Sequence, residues 1–118
     1  MTTYKEFLQT FKFACRVHRA ELVQLKQIQN KAMRNQVEQY MEKDLQTVED
    51  IFNKIDEVCG PSARVLIWMM YVEEKSVEEI GDLFDIPSST VRRNVAGWLR
   101  KTFEEMQMCN KSIHAKET

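Results

Sequence analysis

No glycine or proline occurs in this chain ahead of Gly60. The whole run before it is rich in Gln, Glu, Lys, Leu and Met, all good helix formers, so this half is expected to be helical. Within it Tyr4, Leu8, Phe11, Cys15, His18, Leu22 and Leu25 recur at spacings of four and three, the seam pattern of a helical hairpin or coiled coil. A second seam runs Met41, Leu45, Val48, Phe52, Ile55, Cys59. The two are out of phase, so one straight helix cannot carry both on one stripe. A break is expected in the polar run Gln27 to Gln39, which contains Asn30 and Asn35.

Gly60-Pro61 is expected to close the second helix and open a third, because proline is tolerated in a first helical turn and disfavours helical geometry in the residue before it. The third helix, about Ser62 to Val72, is apolar nearly all round, which predicts a helix enclosed by others. Ser76-Val77-Glu78-Glu79 then reads as a capping box, the serine hydroxyl accepting from the Glu79 amide while the Glu79 carboxylate reaches back. The helix it starts buries Val77, Ile80 and Phe84 and must stop by Ile86, ahead of Pro87. The turn is only Asp85-Ile86-Pro87, and aspartate tolerates the left-handed geometry such a turn needs.

A last helix is expected from Ser88 to about Gln107, burying Val91, Val95, Trp98 and Leu99 and presenting Ser88, Ser89, Arg92, Arg93, Ala96 and Arg100 on its other side. Two helices joined by a short turn, with the small Gly81 where they cross, are the parts of a helix-turn-helix, whose second helix enters the major groove of DNA. The residue types suit that task. Arginine offers a planar fork of donors to guanine or phosphate, and serines at a helix start add donors where the helix end already attracts anions. Ser88, Ser89, Thr90, Arg92, Arg93 and Arg100 are the candidate DNA-binding residues.

The stretch from about Ser62 to Lys101 resembles region 4 of bacterial sigma-70-type factors. The likeness is carried by Arg64, Tyr71, Ser76-Val77-Glu78-Glu79-Ile80-Gly81, Ile86, Thr90-Val91-Arg92 and Leu99-Arg100-Lys101. It looks especially like the small phage and mobile-element transcription regulators that carry such a domain behind a helical N-terminal half. The resemblance implies promoter reading by the exposed start of the last helix, here Ser88, Ser89, Arg92 and Arg93, and docking on RNA polymerase as an alternative use of the same domain. The sequence departs from the family pattern at Asp85, where the turn usually has glycine, at Pro87, where a Ser or Thr cap is usual, and at Gly97 inside the last helix.

A net charge of −1 does not by itself suggest a nucleic-acid binder, but the charge is segregated. Lys5 to Arg34 has seven basic residues against two acids, Glu38 to Glu57 seven acids against two lysines, and Glu73 to Asp85 six acids against one lysine. Arg92, Arg93, Arg100 and Lys101 then follow without an intervening acid. The sequence offers no paired carboxylates in a concave setting, no nucleophile with a base and no phosphate-cradling glycine loop, so no enzyme is expected. Cys15, Cys59 and Cys109 are too far apart for a zinc pattern and are read as reduced thiols, and no metal or cofactor is expected. His18 is read as a polar register-setting residue of the first seam. With no apolar run of membrane-spanning length and no signal-peptide pattern at the N-terminus, the chain is expected to be soluble and cytoplasmic.

The expected architecture is all-α. Residues 1–58 form a helical hairpin or coiled-coil segment, 60–108 a region-4-like helix-turn-helix domain and 109–118 a flexible tail. An apolar stripe around Phe7, Phe11 and Phe13 suggests that the first segment makes a homodimer, which would place two half-sites on double-stranded DNA. The alternative is that the N-terminal helices fold back over the third helix and complete one core.

Overall fold

The Thr3 hydroxyl accepts from the Glu6 amide at 3.2 Å and opens helix α1 (Tyr4–Gln27). The break falls inside the polar run where it was expected. The Asn30 side chain accepts from the Met33 amide at 3.1 Å and caps α2 (Lys31–Cys59), while the Arg34 guanidinium reaches back to the Ile28 carbonyl at 2.6 and 3.0 Å. Gly60, at φ +96°, then ends α2 in a conformation that side-chain-bearing residues rarely adopt, and Pro61 stands in the first turn of α3 (Pro61–Tyr71).

The capping box forms as the sequence requires. Ser76 Oγ accepts from the Glu79 amide at 3.1 Å, the Glu79 carboxylate accepts from the Ser76 amide at 3.4 Å, and α4 (Val77–Phe84) follows. Asp85 takes up the left-handed geometry, at φ 55° and ψ 49°, and the chain enters α5 (Ser88–Glu117) directly after Pro87. No glycine or proline follows Gly97 to stop that helix, and it runs past the end expected near Gln107. This computed structural model describes residues 2–117, with side chains for residues 2–107; Cys109 and the other side chains of the expected tail lie outside the described residues. All regular structure among the described residues is helical.

One apolar core draws on every helix. Phe11 and Cys15 from α1 join Val48, Phe52 and Ile55 from α2, Ala63, Leu66 and Ile67 from α3, Val77 and Ile80 from α4, and Val91, Val95 and Leu99 from α5. Aromatic rings tie the two halves together. The Phe11 ring lies 5.6 Å from Phe52 and 5.3 Å from Tyr71, and Phe52 lies 5.0 Å from Trp68. Each fully buried side chain of this size stabilises the fold by roughly 1.5–3 kcal/mol, so the N-terminal helices are an integral layer of the core. Arg64 adds a polar tie from α3 to α2, donating to Asn53 at 2.9 Å beside Glu49 and Asp56.

Four expectations need correction. Phe7 and Phe11 are buried, the former against Phe103 of α5 at 5.3 Å between ring centres, so of the expected dimerisation stripe only Phe13 is exposed. The stripe is covered by the chain's own α2, α3 and α5, which is the fold-back arrangement. The third helix is not enclosed all round, because Val65 is 45% exposed. Phe84 is 43% exposed, since it lies in the last turn of a helix of only eight residues, just before the chain swings away at Asp85. Trp98 is half-buried against the core's edge and does not lie inside it.

The two described cysteines are free thiols. Burial pushes the Cys15 thiol up to about 12, which keeps it protonated and unreactive. Cys59 sits 3.5 Å from the Trp98 carbonyl and 3.7 Å from the Thr102 hydroxyl, filling the space between α2 and α5. His18 is buried with its ring edge-on to Trp68 at 5.4 Å, and burial holds its pKa down, against the opposing pull of Glu49. It is a neutral packing residue, and no group of three or more metal-ligating side chains forms among the described residues. No helix among them is long and apolar enough to cross a membrane.

Candidate nucleic-acid interface

The start of α5 is positioned by a backbone approach that only glycine permits. A Cβ placed on Gly81 would stand 2.5 Å from the Ile86 carbonyl oxygen and 3.4 Å from the Ser88 nitrogen. The Gly81 carbonyl in turn accepts from the Ile86 amide at 2.9 Å, so the turn is stitched to α4 at the residue where the two helices approach. Pro87 then supplies its carbonyl to the amides of Thr90 and Val91 at 3.0 and 3.1 Å. Ser88 and Ser89 therefore carry the first amides of the helix, which have no intrahelical acceptor and point outward from the positive end of its dipole.

The burial pattern along α5 separates an anchoring side from a free side. Val91, Val95 and Leu99 are buried to 2% exposure or less, and Thr102, also buried, donates to the Trp98 carbonyl at 2.9 Å. Ser89, Arg92, Arg93 and Arg100 are exposed, while Ser88 and Thr90 are half-buried. Among the described residues neither Arg92 nor Arg93 has an ion-pair partner, and no acid occupies the first turn of α5. The six candidate residues thus share one helix, but they are not equivalent. Ser89, Arg92 and Arg93 project freely, whereas the Arg100 guanidinium lies 4.4 Å above the ring of Tyr4 at the opposite end of the chain. That cation–π stack holds the arginine in place and leaves the edge of its guanidinium free to donate. Nothing in the sequence pairs Tyr4 with Arg100, because the two meet only once α1 has packed on α5.

Beside this helix lies a different surface. Val65, Leu83 and Phe84 are exposed, and a groove of about 490 Å³ is lined by Pro61, Ser62, Val65, Leu66, Phe84 and Ile86. Sequence periodicity placed Phe84 in the core and so did not foresee this patch. A signal was available in the adjacency of Leu83 and Phe84 at the end of a two-turn helix, where both cannot point inward.

No family model, no curated protein and no solved structure matches the chain.

Proposed function

We propose that this chain is a sequence-specific DNA-binding transcriptional regulator in which α4, the turn 85–87 and the start of α5 act as a helix-turn-helix of the sigma-70 region 4 kind. The observation that carries the reading is the exposed, ion-pair-free Arg92–Arg93 pair on the first turns of a helix whose other side is locked by Val91, Val95 and Leu99. Arg92 and Arg93 are the base-reading residues in this proposal. Ser88, Ser89 and Thr90 with the first helix amides hold phosphate, and Arg100 holds the backbone farther along.

Selection of bound sequences from a random duplex pool tests this directly, and a single enriched site is the expected result. Replacing Arg92 and Arg93 together by alanine should lower affinity for that site at least tenfold, each arginine removed costing about 1–3 kcal/mol, without changing the melting temperature. Equal binding by parent and variant would sink the proposal.

The apolar patch of Val65, Leu83 and Phe84 favours a second reading, in which the same domain is an adaptor that docks on RNA polymerase or another protein. Salt separates the two. Binding to DNA through several phosphates weakens steeply as salt rises, while an apolar protein interface changes little.

A further inference from the structure

Lys5, Lys12, Arg19 and Lys26 stand seven residues apart along α1, and Arg16 lies between two of them. Seven residues are close to two helical turns, so these side chains form one stripe about 31 Å long, and all five are exposed. The stripe is not a cation row neutralised by its neighbours. Arg19 pairs with Glu74, while among the described residues Lys5, Arg16 and Lys26 have no ion-pair partner. Lys12 stands 6.0 Å from the Tyr71 ring and, with Arg16, overhangs a hollow of about 470 Å³ shared with Met70, Tyr71 and Glu74. Since Arg19 already offsets Glu74, the hollow keeps an excess of positive charge.

The fold joins this stripe to the proposed reading helix. Arg93 and Arg100 are also seven residues apart on one exposed edge of α5, and Arg100 lies on Tyr4, the neighbour of Lys5. Two basic edges on different helices therefore meet at the Tyr4–Arg100 stack. Glu6 and Glu104 are exposed acids near that junction, fewer than the cations around them.

Resting on the DNA-binding reading above, we infer that the α1 stripe, chiefly Lys5, Lys12 and Arg16, is a second DNA-binding edge that holds the phosphate backbone of duplex flanking the stretch read by α5. A linear array of cations with roughly 10 Å between successive members suits a polyanion that carries one charge about every 1.7 Å of its axis. A membrane surface suits it poorly, because an interfacial helix must offer its apolar face to lipid, and Phe7, Phe11, Cys15 and Leu25 of α1 are already buried. The stripe also supplies what one recognition helix lacks. With the dimer stripe covered inside the chain, added phosphate binding on the same molecule takes the place of a second half-site.

The test compares the parent with the variant K5Q/K12Q/R16Q, and with K5R/K12R as the charge-retaining control, on a mixed-sequence duplex of about 40 base pairs over a series of salt concentrations. The expected result is a slope of log affinity against log salt shallower by about 0.9 for each phosphate no longer neutralised, so about 2–3 for the triple variant, with K5R/K12R keeping the parent slope. Melting curves of the variants should overlay the parent's, since all three side chains are exposed. An unchanged slope in K5Q/K12Q/R16Q, alongside loss of site binding in the Arg92/Arg93 variant, overturns the stripe alone and leaves the recognition helix standing. A parent that binds no duplex at any salt, or a stripe that binds only acidic protein or anionic vesicles, overturns this inference; the first of these also removes the function it rests on.

Discussion

Gly81→Ala and Gly97→Ala are the same substitution, each in a helix, yet the structure gives them opposite signs. Alanine is intrinsically better in a helix interior than glycine by about 1 kcal/mol, and on propensity alone both variants should be more stable. At Gly97, which is exposed, a new Cβ meets nothing within 4 Å, so that gain should appear in full. At Gly81 the Cβ would stand 2.5 Å from the Ile86 carbonyl oxygen, 3.4 Å from the Ser88 nitrogen and 3.6 Å from the Ser88 Cα. These are backbone atoms and cannot rotate away. The turn must give way, which strains the 2.9 Å bond from the Ile86 amide to the Gly81 carbonyl. Forcing atoms into a space already filled costs typically about 1–3 kcal/mol, and weakening one backbone bond costs about 1 kcal/mol more. Set against the propensity gain of about 1 kcal/mol, the net is a loss of about 1–3 kcal/mol.

Urea melts followed by circular dichroism measure both variants. Gly97→Ala should raise the midpoint and Gly81→Ala should lower it, with the slope unchanged in each because the surface exposed on unfolding is the same. DNA affinity adds a second readout. Gly81→Ala displaces the start of α5 and should weaken binding even where the protein is fully folded, while Gly97→Ala should leave binding intact. A Gly81→Ala variant as stable as the parent or more so would refute the close approach of the two helices, and with it the rigid placement of Arg92 and Arg93.

Phe52 is fully buried between Phe11 and Trp68, so Phe52→Ala should cost about 3–5 kcal/mol and lower a single cooperative transition for the whole chain. A separate early melt of the N-terminal helices with the rest unchanged would contradict the one-core fold. Burial, the nearby Asp44 carboxylate and a hydrogen bond to it that the protonated form makes push the Glu21 carboxyl up. The folded state therefore holds the Glu21 proton more tightly than the unfolded one, and stability falls as pH rises from the ordinary carboxylate range through the raised folded value. Glu21→Gln should accordingly raise the melting temperature at neutral pH and change it little in acid, and an equal shift at both would contradict the assignment. With Phe7 and Phe11 covered, sedimentation at micromolar concentration should give one chain of 14.0 kDa, and a dimer would require an interface built on other exposed apolar residues, Phe13, Val23, Met33 and Tyr40 or the patch of Val65, Leu83 and Phe84.

Where the local chemistry of a few neighbouring residues decides the outcome, the sequence was legible. Gly60-Pro61, Ser76 with Glu79, Asp85 and Pro87 each fix a helix end through a cap, a missing amide or an allowed backbone angle, and these boundaries lie where that chemistry puts them, whereas the first break was legible only as a polar run and the structure sets it at Asn30. Periodicity likewise gave the buried side of α5 through Val91, Val95 and Leu99. It failed where burial depends on what the rest of the chain covers. Phe7 lies outside the seam of fours and threes, yet it is buried because Phe103 arrives from α5; Phe84 continues the spacing of Val77 and Ile80, yet at the end of α4 it lines an open groove beside α3 and is exposed. The same nonlocal step makes Arg100 different from Arg92 and Arg93. Its residue type marks all three as candidates, but only the packing of α1 on α5 puts Tyr4 beneath one of them, and that packing is what makes the exposed arginines of α5 and the basic stripe of α1 neighbours.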